Sequence, residues 1–141
     1  MRAIPLDLRL EIQALTAEHA WLLDHGGADQ LYKLYASQGE LLNLPPRDLI
    51  GRDAIAAWGR ERVKLPRLSR HIETNHRLYW DAEVLRGTLC ATVYRSDDGS
   101  SAQTVPLMVG DYEDEYAAES GAWCIRRRVI RKAFRVLAQT T

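Results

Sequence analysis

Few side chains in this sequence can move protons, and they stand well apart. Four histidines, His19, His25, His71 and His76, have an ordinary pKa close to neutrality. An imidazole can take a proton and return it at that pH, which is what general acid/base catalysis needs. No two of them stand in an H-x-x-x-H spacing. His71 and His76 are five apart, hence on opposite faces of any strand, so a metal site is not expected. Cys90 and Cys124 form no C-x-x-C pair and read as reduced core thiols. The sequence has no phosphate-cradling glycine loop and no G-x-S-x-G elbow. Tyr79, Tyr94, Tyr112 and Tyr116 fall in strand-like segments, where a phenol can face a pocket and donate to a developing oxyanion. Trp21, Trp58, Trp80 and Trp123 read first as core or interface residues.

The elements that must position these groups follow from periodicity. Leu8, Ile12, Leu15, His19 and Leu22 recur at steps of four and three, one stripe of a helix. Asp7 is its expected N-cap, and Gly26-Gly27 its stop. A shorter helix is predicted from about Ala28 to Ser37, a strand over Gly39 to Leu44, and a third helix across Asp53 to Val63. After Pro66 the period changes to two. Strands are predicted over Ser69 to Trp80 and Val84 to Arg95, then a hairpin of Gln103 to Tyr116 with Trp123 to about Val136. Helices first and a strand meander afterwards predict an α+β fold, the helices packed in a curved, largely antiparallel sheet.

Composition bounds the class. The chain has 141 residues, 46% hydrophobic and 27% charged, with nineteen Lys and Arg balanced by nineteen Asp and Glu. That is one domain, able to bury roughly 70% of its unfolded surface, with room for an internal cavity. No apolar run is long enough to span a membrane, and the charged opening MRAIPLDLRLEIQAL lacks the apolar core of a signal peptide. A cytoplasmic protein is therefore expected. The zero balance argues against nucleic acid as a partner. Arg126, Arg127, Arg128, Arg131, Lys132 and Arg135 crowd the last strand, opposite Asp111, Glu113, Asp114, Glu115 and Glu119. Cross-strand ion pairs on a solvated face are the favoured reading. An arginine turned into a cavity to hold a carboxylate is the sharper one.

Four stretches in this order resemble the SnoaL-like group of the nuclear transport factor 2-like superfamily. They are EHAWLLDHGGADQLYKLYASQGEL (Glu18 to Leu41), IGRDAIAAW (Ile50 to Trp58), RHIETN (Arg70 to Asn75) and GDYEDEYAAESGAWCIRRRVI (Gly110 to Ile130). The resemblance runs from about residue 10 to 136. It implies a cone-shaped α+β barrel with a deep apolar pocket, usually dimeric through its sheet. Superfamily members include scytalone dehydratase, ketosteroid isomerase, polyketide cyclases and limonene epoxide hydrolase. The small (β) subunits of ring-hydroxylating dioxygenases share the fold without its chemistry. Carried over by position, Asp24 matches the dehydratase aspartate and His71 its strand histidine. Leu23 and Asn43 stand where that enzyme has tyrosines, and Tyr94 aligns with its second histidine.

On that footing the catalytic candidates are His71 as proton shuttle, Asp24 as its partner and Tyr94 as an oxyanion or hydroxyl contact. Alternation puts His71, Glu73 and Asn75 on one face of their strand, and Cys90, Thr92 and Tyr94 on one face of the next. If both faces look inward, Asn75 and Thr92 also reach a substrate. A bulge would flip part of either set. Asn43, Tyr112, His19 and Trp58 complete the substrate-binding candidates, while His25 and His76 are expected at the surface. The implied function is a small cofactor-free dehydratase, isomerase or cyclase acting on an apolar or aromatic ring compound or a polyketide-like one. A non-catalytic subunit and a small-molecule binding module are the alternatives. A convex face carrying Leu107, Val109 and Val129 would be an exposed patch in a monomer, so a homodimer is expected.

Overall fold

A computed structural model describes residues 1–101 and 106–135. The first helix, α1, spans Leu6–Asp24 and buries Ile12, Leu15, Thr16 and His19, the expected stripe. Pro5, not Asp7, takes the N-cap position. Asp7 falls inside the first turn, where its carboxylate still opposes the positive end of the helix dipole. Gly26 follows the helix in left-handed geometry, with φ 76°. The second segment is a 3₁₀ helix over Ala28–Leu34, shorter than predicted, because the chain extends at Tyr35 to send that side chain into the core. Strand β1 covers Tyr35–Leu42, β2 covers Leu49–Ile50 and α2 covers Arg52–Arg62.

Then come β3 (Leu68–Asp81), β4 (Val84–Ser96), β5 (Met108–Glu119) and β6 (Ala122–Arg135). The predicted strand ends at Gln103 and Val136 lie outside the described residues. The six strands make one curved, open sheet in the order β2-β1-β6-β5-β4-β3. Every pairing is antiparallel except β1 with β6. The helices pack on its concave face, as the α+β reading requires. Ile12, Leu31, Tyr35, Ile55, Leu85 and Ile125 are fully or almost fully buried between the layers.

Register decides which face each charge meets. Asp114 pairs with Arg128 on the concave face. There Arg128 Nε and Nη2 donate to the two Asp114 oxygens at 2.8 and 2.7 Å, both side chains fully buried. Tyr116 adds a hydroxyl donated to Asp114 at 2.7 Å. The next positions point outward, where Arg131 meets Glu113 at 3.2 Å and Arg86 meets Glu115 at 2.6 Å. The solvated ion-pair reading therefore fits the outer members of the basic run and fails for Arg128.

The apolar positions expected on the convex face change as well. Leu107 turns inward to a cavity, and Val129 is already covered, at 6% exposure, beside Arg127 and Arg131. Val109 instead belongs to a cross-strand row, Ile72–Thr92–Val109–Phe134, that runs over four strands.

Taking one partner from a buried ion pair leaves the other charge without compensation. Arg128→Met should cost about 3–5 kcal/mol in urea unfolding, and a matched Arg128→Met, Asp114→Leu pair should recover much of that loss. A cost for the single variant no larger than for an exposed arginine would contradict the burial argued above.

Candidate active site

Asp24 is the last residue of α1, where the chain turns away and the side chain reaches the edge strand β3. Its carboxylate accepts three hydrogen bonds. The backbone N–H of His71 donates to Oδ2 at 2.7 Å, the Ser69 hydroxyl to Oδ1 at 2.8 Å, and His71 Nδ1–H to Oδ1 at 2.6 Å. The Asp24 side chain is 5% exposed and that of His71 13%. Burial pushes the Asp24 carboxyl up. The hydrogen bonds and charge of His71, joined by Ser69, outweigh it and hold the group below the ordinary 3.8. An ionised carboxylate can only accept, so the proton of the neutral imidazole sits on Nδ1 and the Nε2 lone pair is free to act as a base. No described residue bonds that Nε2.

His71 lies on the wall shared by two hollows. The inner one, about 390 Å³, is enclosed by the sheet, α1 and α2, and takes in His19, Leu23, Trp58, Tyr112 and Arg128. The other, about 600 Å³, is a more open cleft between α1 and β3, bordered by Trp21, Glu73, Asn75 and His76. Within the inner cavity His19 Nε2 and the Tyr35 hydroxyl are 2.8 Å apart, and the Arg128 guanidinium stands 4.6 Å over the Tyr112 ring. Burial drives the Tyr35 and Tyr112 phenols up, so both remain protonated. Burial also drives His19 well below the ordinary 6.5, with the Arg128 and His71 charges adding to it, so its ring is neutral.

The structure brings His71, His19, Tyr112 and Trp58 to the inner cavity, with Asp24 behind His71 at the open cleft. It does not bring Tyr94 or Thr92. His71 pairs with Val93, so Tyr94, opposite Arg70, points to the outer face, and Thr92 joins the outer row beside Ile72. The inward assumption fails for this strand because its buried positions are Leu85, Leu89, Ala91 and Val93. Asn43 is exposed and donates its amide to the Ile130 carbonyl at 3.2 Å, away from the cavity lining. Asn75 stands at the bulge between Thr74 and Arg77, with φ 57°, and borders the open cleft instead. His76, expected at the surface, is half-buried with Nε2 3.3 Å from the Tyr116 hydroxyl. Two participants were missed. Ser69 carried no signal beyond lying two residues before His71. Glu73 shares the face of His71 and reaches within 3.8 Å of Arg128 Nη1.

A family model for the SnoaL-like domain matches residues 5–129. The chain belongs to the SnoaL-like domain family. No curated protein matches it in sequence. Solved structures share the fold of this chain at low identity. A scytalone dehydratase-like protein from Novosphingobium aromaticivorans superposes with TM-score 0.80 at 18% identity, over 96% of this chain and 91% of that one. A nuclear transport factor 2-like protein with a cystatin-like fold from the same organism gives 0.73 at 22%, over 91% and 83%. ActVI-ORFA from Streptomyces coelicolor gives 0.76 at 15%, over 90% and 98%.

The buried histidines set a pH dependence. The unfolded chain takes up protons at His19 and His76 below their ordinary 6.5, which burial resists in the folded state. Their contribution to stability is thus lost as pH falls through about 6.5 and below, whereas that of Asp24 is lost only as pH falls below about 4. His19→Gln, which can still bond Tyr35, should flatten the upper slope in urea unfolding measured across that range. An unchanged slope would mean that His19 is not held neutral.

Proposed function

We propose that the chain is a small acid/base enzyme of the dehydratase, isomerase or cyclase type, needing no cofactor, with a small ring or polyketide-like substrate in the inner cavity. The observation that carries this reading is the 2.6 Å bond between His71 Nδ1 and the buried Asp24 carboxylate. It leaves Nε2 as the one free nitrogen of a ring that lines the cavity.

The chemistry follows from that arrangement. Nε2 takes a proton from a carbon next to a substrate carbonyl, and the ring becomes an imidazolium. Asp24 stabilises the new charge, and the low polarity around Trp58, Leu23 and Tyr112 strengthens that attraction. The same proton then goes back to a different carbon, or to a departing hydroxyl. His71 is the catalytic residue in this scheme, and Asp24 a positioning residue that acts through it. Tyr112 and Trp58 form the wall against which an apolar ring packs, and His19, neutral and tied to Tyr35, offers a polar contact without a charge. The scytalone dehydratase-like structural neighbour supports this class of chemistry by analogy of fold alone.

We also propose a homodimer through the outer face. Ile72 and Phe134, at 50% and 73% exposure, end the apolar row across β3 to β6. A second copy packed on that row would cover it.

Proton abstraction can be read without knowing the natural substrate. In D2O the protein should speed deuterium entry beside the carbonyl of 2-tetralone, a two-ring ketone. His71→Ala should lower that rate by about 10²–10⁴-fold. Asp24→Asn should lower it too, and the double variant should lose less than the product of the single losses. Exchange that persists in His71→Ala would rule out His71 as the base. For assembly, sedimentation velocity at micromolar concentration should show twice the 16.0 kDa chain mass, and Phe134→Lys should shift it to the monomer. A monomeric wild type would end the dimer proposal.

A further inference from the structure

The inner cavity is lined by six cationic side chains, Arg62, Arg67, Arg95, Arg128, Lys132 and Arg135, and among the described residues by no Asp or Glu. Register arranges them in height. Arg128 sits deepest, beside Asp114, and Ile130 follows opposite Tyr112. Lys132 comes next, opposite Gly110, and Arg135 lies in the row His71–Val93–Met108–Arg135. Arg95, paired with Ser69, stands one step beyond His71. A cationic rim thus surrounds an apolar interior formed by Leu23, Leu41, Trp58, Tyr112 and Ile130.

These charges are incompletely neutralised. Arg67 and Arg95 share one carboxylate, Asp97, at 3.3 and 2.8 Å. Arg62 donates to the Leu23 carbonyl and to Ser69. Burial and the neighbouring charges of Arg67 and Arg95 depress it, and only Asp24 and Asp97 oppose that effect. Lys132 and Arg135 have no ion pair or hydrogen bond with a described residue. Among the described residues, five rim cations therefore face two nearby carboxylates, Asp24 and Asp97. At the bottom, Arg128 is fully buried and spends Nε and Nη2 on Asp114, yet its Nη1 has no hydrogen-bond partner. Among the described residues that nitrogen meets Glu73 Oε1 in an ion pair at 3.8 Å, beyond hydrogen-bond reach, and Oε1 likewise has no hydrogen-bond partner.

We infer that the cavity selects an organic anion, a carboxylic acid with an apolar ring body, its carboxylate held at the rim by Lys132 and Arg135. The inference rests on the reading of this cavity as the reaction chamber and adds the class of substrate. Cations beside an apolar wall of low polarity attract an anion more strongly than the same cations in water. A carboxylate on the β6 side also leaves the ring carbons between it and His71, which approaches from the opposite edge strand.

The test uses 2-naphthoate and its uncharged counterpart 2-naphthamide, titrated calorimetrically into the full chain. The acid should bind at least about tenfold more tightly than the amide, a difference of about 1.4 kcal/mol. The preference should shrink toward parity in the double variant Lys132→Ala, Arg135→Ala, and also at about 1 M salt, where the screening length falls to about 3 Å. Both substituted residues are exposed, so the fold should survive, and circular dichroism checks that it does. Equal binding of acid and amide, no binding of either, or a preference untouched by the double variant would overturn the inference. His71→Ala separates the two claims, because it should keep the preference for the acid while losing deuterium exchange. Parity with exchange still dependent on His71 sinks charge selection alone. Preserved preference with exchange independent of His71 sinks only the base.

Discussion

Three hydrogen bonds converge on the carboxylate of Asp24, and every donor comes from one short stretch of β3. That carboxylate ties the end of α1 to the free edge of the sheet. An open sheet with a helix across its concave face closes a cavity only if helix and edge strand keep their distance. The hydrophobic stripe of α1 supplies cohesion but little positional definition, because apolar contacts are not directional. A buried carboxylate with three donors is directional, and its loss would leave a backbone N–H and a hydroxyl without acceptors. The same contact orients the imidazole. Holding the helix to the sheet and setting the tautomer of His71 are one interaction, so the geometry of the cavity and its chemistry cannot vary independently.

The pair of Arg128 and Asp114 plays the complementary part beneath the cavity floor. Two opposite charges with Tyr116 and Tyr112 around them occupy volume that aliphatic side chains would otherwise fill. Such a pair adds little net stability compared with a well-packed apolar substitute, because desolvation offsets the attraction. What it adds is a fixed field. The Arg128 charge adds to the burial that keeps His19 neutral, and one guanidinium N–H stays without a hydrogen bond in the protein interior.

The fold was legible in the sequence because its signals were long and periodic. The stripe from Leu8 to Leu22 and the period-two run after Pro66 each had several residues in agreement. The dyad was legible through family position, not through pattern, since on β3 the apolar Ile72 faces outward while His71 and Glu73 face in. A hydrophobicity argument would set that strand in the opposite phase. Tyr94 and Thr92 were misplaced for a related reason, because β4 is apolar enough on both faces to leave its phase open, and pairing with β3 decides it. Asn75 left its face through a bulge, a backbone event with no clear residue signature. In the run Arg126-Arg127-Arg128 every side chain looks alike. Which one goes inside depends on the register with Asp114, a long-range fact that no local window contains.

The zero net charge of the chain also acquires a different meaning once register is known. Averaged over the sequence it argues against a charged partner, and on the convex face that average holds, with Glu113 and Glu115 meeting Arg131, Arg86 and Arg126 across neighbouring strands. The concave face does not follow the average. Its carboxylates are committed to structure, Asp114 and Glu73 to Arg128 and Asp24 to β3, while cations remain at the mouth of the cavity. Alternation along a strand sorts charges by face, so a neutral composition can conceal a strongly polarised interior. The partner such a protein recognises is set by the charges left without a structural duty, and here those are Lys132 and Arg135, close to the rim that a ligand must pass to reach His71.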